Sequence, residues 1–269
     1  MLTEIAERIR ALPPLPKTFV QINELFHNEQ AGIADLAKLI EEDPMIIANL
    51  LKVANSPLYS FRREIKSVLQ AVGLFGMSTT RSLVIDMSIK KLLNVDLLPY
   101  NITPDQFTEL SQLQSMLMRQ WYCLVNASHV DFLFLATLLQ ETGKILIADE
   151  VVKNEETYPF KSELENNVNV SAVEKMFVGV SSSYVTSLIF EHWKFDEKMV
   201  QAIRFSDDLD NAPEMIRPFS VALKVVKTAV PINAPLSERS INLALTLLSK
   251  EHLDPAPFLD AIEELKVRF

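Results

Sequence analysis

The sequence predicts an all-α fold of about a dozen helices, on three observations. Apolar residues recur at helical spacing along almost the whole chain. No segment alternates with period two between turn signals, so a sheet is not expected. Glycine is scarce, at 5 of 269 residues, against a usual share of about 7%. Dinucleotide folds, phosphate-binding loops and turn-rich sandwiches all use glycine where φ is positive, and the scarcity argues against each.

The elements follow in order. Leu15, Phe19, Ile22 and Phe26 form one stripe, Ile33, Leu36 and Ile40 the next, and Ile46, Ile47, Leu50, Leu51 and Ala54 a third. Leu110, Leu113, Leu117, Trp121 and Leu124 continue the pattern, then Phe132, Leu135, Leu139 and Leu146. Each stripe is one face of a 3.6-residue helix turned to a core. Start signals agree: Asp43-Pro44 and Asp254-Pro255 place an acceptor at N-cap and a proline at N1. Thr103 with Gln106, and Ser171 with Glu174, read as capping boxes. Ser181–Ser183 reads as the N-cap region of a helix over Tyr184–His192. Asn55-Ser56 is expected to end its helix with Asn55 in left-handed geometry, and Gly76 to end the following one. Breaks are expected at Leu97–Thr103, Asn154–Tyr158 and Asp207–Pro213. Three last helices, around Pro218–Val230, Ser237–Lys250 and Pro255–Val267, carry Leu223, Val226, Leu243, Leu247, Leu259 and Ile262, which need a partner face.

Composition narrows the function. A net charge of −9 lacks the cation surplus that phosphate neutralisation requires. Residues 31–56 could pass for a helix-turn-helix, but Pro44–Asn55 has Lys52 as its one cation and otherwise needs burial, so DNA is not an expected partner. One cysteine excludes an internal disulfide, and Cys123 is expected to be a small packed residue. The charged, periodic N-terminus has no signal-peptide core, and no apolar run reaches the ~20 residues of a membrane span; the expected compartment is cytoplasmic. Gly179-Val-Ser181 begins like a nucleophile elbow, but the closing glycine is missing and no strand precedes it. His27, His129, His192 and His252 lie too far apart for a helical metal site. Charge is uneven: Arg62–Lys91 has six basic residues against two acidic, and Asp149–Glu165 the reverse.

The N-terminal part resembles the HDOD family, the HD-related output domains of bacterial signalling proteins. Leu12-Pro-Pro-Leu-Pro16, Ile40-Glu-Glu-Asp43-Pro44, Leu51-Lys-Val-Ala54-Asn55-Ser56-Pro57-Leu58-Tyr59, and Ile65-Lys-Ser67 with Gln70-Ala71 and Leu74-Phe-Gly76 carry the likeness in order. It extends more weakly to about residue 205. The resemblance implies a helical domain over 1–205 with an extension, 206–269, packed on it. Related HD phosphohydrolases hold divalent metal through histidines and aspartates. In this sequence Leu138-Leu139-Gln140-Glu141-Thr142-Gly143-Lys144 is similar to their His-Asp segment, with Gln140 and Glu141 in the ligand places. Ser182 stands at another histidine place, and Ser206-Asp207 where two histidines would end a later segment. An amide and hydroxyls replace imidazoles, so no metal, cofactor or catalytic residue is expected.

The resemblance thus implies a non-catalytic regulatory module of bacterial signal transduction, an adaptor working through protein–protein contact. Two alternatives remain: an anionic-nucleotide or cyclic-dinucleotide binder without turnover, and a divergent phosphohydrolase. The candidate partner or anion surface is Asn55, Ser56, Arg62, Arg63 and Lys66, three of them cations that oppose the global charge.

Overall fold

The computed structural model describes residues 2–28, 30–94 and 96–266. Among these there are sixteen α-helices, four short 3-10 turns and no strand. Among the described residues no single helix is long and apolar enough to cross a membrane. The chain forms two compact units, Met1–Leu12 with Val95–Ala261, and Pro13–Asn94 with Ile262–Phe269. The boundary expected at 205/206 falls inside the first unit.

Helix α1 (Leu2–Arg10) belongs to the first unit. The second holds α2 (Lys17–Phe26), α3 (Ile33–Ile40), α4 (Pro44–Ala54), α5 (Val68–Phe75) and α6 (Met77–Leu93). At α4 the Asp43 carboxylate accepts from the Met45 and Ile46 amides, with Pro44 at N1 as the sequence predicts. Its second oxygen pairs with Lys91 at 3.0 Å, which fixes the start of α4 to the end of α6. Ile46, Leu50, Val53 and Ala54 face the core, which confirms that this helix is a packing element, although Met45 stays 54% exposed. Helix α6 is buried on every side from Thr79 to Ile89 except at Arg81. Arg81 donates to Asn23 Oδ1 at 2.8 Å and lies over the Phe26 ring. Gly76, at φ +78°, permits the 119° turn between α5 and α6.

In the first unit α7 (Pro104–Val125) packs on α8 (Val130–Leu139), and α9 (Gly143–Lys153) on α12 (Ser182–His192). Helices α10 (Thr157–Asn166) and α11 (Val170–Val178) lie between these in sequence. Then come α13 (Glu197–Arg204), the 3-10 turn Phe205–Asp207, α14 (Arg217–Ala229), α15 (Glu238–Lys250) and α16 (Ala256–Lys266), which belongs to the first unit as far as Ala261. Helix α14 packs on α13, α7, α8 and the 205–207 turn, so residues beyond 205 share a core with those before it. Phe107, Leu117, Trp121, Phe134, Phe160, Phe190 and Phe258 fill that core. The Thr103–Gln106 capping box forms as predicted.

Three expectations need correction. Cys123 and Leu124 are exposed, because α7 turns Leu117, Trp121 and Tyr122 inward and the opposite face, with Cys123 and Leu124, meets solvent. Ser171 does not cap α11; Asn169 does, accepting from the Ala172 amide, and Glu174 is drawn inward instead. Asn55 ends α4 at φ −93°, outside the left-handed region. Its side chain is otherwise engaged, as described below.

Candidate functional site

The degenerate ligand positions come together in the first unit as a buried polar centre. Gln140 and Glu141 follow α8, Lys144 opens α9, Ser182 and Ser183 open α12, and Ser206 and Asp207 lie in the turn after α13. Gly143 makes the convergence possible. A Cβ there would sit 2.2 Å from the Ser182 carbonyl oxygen and 2.7 Å from the Thr186 amide nitrogen, both backbone atoms. Without one, the start of α9 lies directly against α12, and the Gly143 amide donates to Thr186 Oγ1 at 2.8 Å.

That approach delivers Lys144. Its ammonium group is 2.5 Å from Glu174 Oε1, 3.1 Å from Glu141 Oε2 and 3.1 Å from Ser182 Oγ. Two of its protons go to Glu174 and Ser182, while the Glu141 contact is an ion pair without a hydrogen bond. Glu174 in turn accepts from the Tyr100 hydroxyl at 3.0 Å and from the Ser182 amide at 2.6 Å. A second ammonium group enters on α14. Lys227 Nζ lies 2.7 Å from Ser183 Oγ, 2.8 Å from Asp207 Oδ2 and 3.4 Å from Ser182 Oγ. Lys224, one turn earlier, bonds the other Asp207 oxygen at 2.5 Å. Ser206 donates to Ser183 Oγ or to the Ile203 carbonyl. Gln140 donates to Gln114 Oε1 at 2.8 Å, and Gln114 donates to Glu141 Oε1 and the Val230 carbonyl.

Three carboxylates thus face three lysines, and the ionisation states follow. Burial pushes the Asp207 carboxyl up, but Lys227 and Lys224 outweigh it and hold it well below the ordinary aspartate value. Burial likewise acts on Glu141 and is outweighed by Lys144 and Lys227. Burial opposes the Lys227 charge, yet Asp207, Glu141 and Glu174 raise its pKa. Burial, then the neighbouring Glu174, raises Tyr100 well above the ordinary phenol value, so its hydroxyl remains a donor.

A divalent ion of the kind held by HD phosphohydrolases does not fit this donor set. The Gln140 amide is bonded to Gln114, Glu141 is paired to Lys144, and Ser182 receives two ammonium groups. An ion would share its ligands with two buried cations. Among the described residues no three His, Cys, Asp or Glu side chains gather as a ligand group. Three of the histidines make other contacts or none in this centre: His27 bonds the Asn23 carbonyl, the His129 ring packs on Phe219, and His192 is exposed.

The sequence reading missed Gln114, Glu174, Lys224 and Lys227. A signal for three of them was present in the stripes. Gln114 continues Leu110, Leu117 and Trp121; Glu174 sits between Val170 and Val178; Lys227 is four residues after Leu223. A polar residue at an inward position of an apolar stripe requires a buried partner. Beside the centre, a pocket of about 260 Å³ is lined by Lys224, Lys227, Asn169 and Ser171, with Ile232, Leu243 and others as apolar wall.

The candidate surface residues lie in the second unit and separate into two kinds. Asn55 is a clasp: its Nδ2 donates to the carbonyls of Leu51 and Ile65, and its Oδ1 accepts from the Ile65 amide at 2.8 Å. Ser56 is half-buried, with its hydroxyl lacking a hydrogen-bond partner. Asn55 is exposed, with its side chain engaged in the chain's own turn, whereas the Ser56 hydroxyl makes no such bond. Arg62, Arg63 and Lys66 are exposed on the loop between α4 and α5. Phe61, stacked with Tyr59 and tilted against Phe75, pins one end of that loop, and the Asn55 clasp at Ile65 pins the other. Lys66 pairs with Glu64 at 3.3 Å, both widely exposed, while Arg62 and Arg63 have no ion pair among the described residues.

Residues 12–209 match the HDOD domain family. A protein of Treponema pallidum without a described function is 22% identical over 81% of this chain, which spans only 42% of that relative's length. Among solved structures, a candidate signal-transduction protein from Marinobacter aquaeolei superposes with a TM-score of 0.71 at 19% identity, covering 99% of this chain and 62% of the other. A candidate phosphohydrolase from Shewanella amazonensis gives 0.67 at 19% identity, covering 97% and 93%. At such identities the structures speak for the fold, and the fold is the same all-helical one. With the family match spanning most of its length, this chain belongs to the HDOD family.

Proposed function

We propose that this chain is a non-catalytic regulatory module that acts through protein–protein contact in a bacterial signalling pathway. The observation that supports it most is the pair of ammonium groups inside the centre. Metal-assisted hydrolysis needs an open cation position and a water bound there. Here Lys144 and Lys227 take the oxygens that would serve, and the centre is left as a stabilising core. The Marinobacter structure, named as a candidate for signal transduction, is in keeping with this reading. The contact surface we favour is the loop carrying Arg62, Arg63 and Lys66. It is pinned at both ends, so little order is lost on binding, and its cations suit an acidic partner.

A second reading, capture of an anionic nucleotide without turnover, draws on the pocket beside Lys224 and Lys227. Its 260 Å³ falls below the range of about 300–1,000 Å³ usual for small-molecule sites. Both lysines are also already paired with Asp207, so it ranks second.

Affinity purification from the native cell, with the full chain and its Arg62→Glu, Arg63→Glu double variant, tests the first reading. The variant should fold as the wild type does and lose the partner that the wild type retains, and the wild-type capture should weaken with salt. Equal recovery by both proteins would remove the loop from the proposal. Hydrolysis of a phosphodiester by the same wild-type preparation with Mn²⁺, abolished by Glu141→Gln, would overturn the non-catalytic reading.

A further inference from the structure

The Lys227 ammonium group bridges two parts of the chain that also meet directly through the Ser206–Ser183 hydrogen bond. The first turn of α12 supplies Ser182 and Ser183 hydroxyls, and the turn after α13 supplies an Asp207 oxygen. All are hard oxygen donors of the sort that bind divalent ions. Ser182 and Asp207 stand at ligand places of the metal-dependent relatives, by the motif alignment given above. Lys227 itself is 6% exposed and lies on α14, beyond residue 209 where the family match ends. Nearby, Gln140 Oε1 is buried without a hydrogen-bond partner among the described residues, so the centre has acceptor capacity to spare.

We propose that Lys227 is a tethered substitute for the cation of the degenerate centre, carried in on α14 to gather oxygens that a divalent ion would otherwise hold. Helix α14 is then an obligatory part of the centre rather than an appendage to it. Removing the ammonium group while leaving its space empty should open a cation site at Asp207, Ser182 and Ser183, in competition with Lys224 and Lys144, which stay bonded to Asp207 and Ser182. This inference goes beyond the partner-binding reading, and its test reads stability instead of partner capture.

The experiment compares thermal unfolding of the full-length wild type, Lys227→Ala and Lys227→Met, with and without Mn²⁺ at constant ionic strength. Loss of one partner of a buried pair should lower Tm by roughly 10 °C in both variants. Mn²⁺ should raise the Tm of Lys227→Ala in a saturable manner, because it binds the folded state alone. Wild type and Lys227→Met, whose side chains fill the space, should not respond. A Lys227→Ala protein no more responsive to Mn²⁺ than the wild type overturns the proposal. If Lys227→Ala does not fold, Lys227→Met with Asp207→Asn decides it. Removing both members of the pair should restore at least half of the Tm lost in Lys227→Met, and no restoration overturns the proposal.

Discussion

Asp207 in the first unit and Asp86 in the second are equally sealed from solvent, each side chain about 2–3% exposed, yet their carboxyl groups move in opposite directions. Burial raises Asp86, and one lysine, Lys90 at 2.9 Å, does not offset it. Burial acts on Asp207 as well, but two lysines at 2.5 and 2.8 Å overcome it. A buried charge is therefore tolerated or penalised according to the number of partners brought to it. The polar centre spends residues from eight helices and turns on that condition. The second unit meets it only in part at Asp86 and keeps Arg62 and Arg63 outside in water.

The largest expected effect comes from breaking this contrast directly. Asp207→Asn leaves Lys227 buried beside a neutral amide and should cost about 3–5 kcal/mol at neutral pH. Asp86→Asn removes a penalised charge and should cost far less. Their pH signatures should have opposite sign. With its folded pKa depressed, Asp207 contributes stability that is present above its unfolded value near 3.8 and is lost as pH falls through the folded value. With its folded pKa raised, Asp86 destabilises above that folded value, and protonation relieves the penalty as pH falls. Denaturant unfolding of both variants across pH 3 to 7, relative to wild type, reads this. The Asp207→Asn deficit should shrink on acidification only at the lowest pH. A deficit independent of pH would mean that the carboxylate charge is not what the centre uses.

The next effect is steric. Gly143→Ala puts a methyl group into the Ser182 carbonyl oxygen, and backbone cannot give way as a side-chain tip can. Separation of α9 from α12 should cost about 3 kcal/mol or more and draw Lys144 off its oxygens. Gly73→Ala, in α5 of the second unit, meets nothing within 4 Å. It should be neutral or stabilise by up to about 1 kcal/mol through helix propensity. Paired melts of the two variants test the claim that close packing is confined to the centre. Similar losses in both would reject it.

The same contrast marks what could be read from the sequence. Caps at Asp43 and Thr103 were legible because donor and acceptor lie within three residues, so local geometry decides them. Ser171–Glu174 has the same spacing and failed, since Lys144, thirty residues away, and Ser182 compete for the Glu174 carboxylate. The ligand-like places Gln140, Glu141, Ser182 and Ser206 were found through the family pattern and do converge. What fills the centre was not found, because Lys227 arrives from a helix outside that pattern. Its position on an apolar stripe announced a buried charge but not its address. The sequence points to Asn55 as a backbone device, but the structure uses its side chain, in a contact ten residues long that no local rule specifies.

The smallest effect tests the second unit's side of the contrast. Asn55→Ala removes the two hydrogen bonds that clasp Ile65 and the one that caps α4 at Leu51. At about 0.5–1.5 kcal/mol for each bond, the change is modest in total stability. Its consequence should be local. The 60–66 loop would remain anchored by Phe61 against Phe75, but its second end would be free. Hydrogen exchange should show the Ile65 amide, bonded to Asn55 Oδ1, losing protection, while amides of α12 and α14 keep theirs. If the loop presents Arg62 and Arg63 to an acidic partner, loosening it should weaken capture of that partner even though both arginines are intact, through the cost of ordering them anew. Loss of affinity with unchanged protection at Ile65 would point to some other role for Asn55. Loss of protection with unchanged affinity would show that the arginines need no fixed frame, and that the second unit's surface charge acts through its field alone.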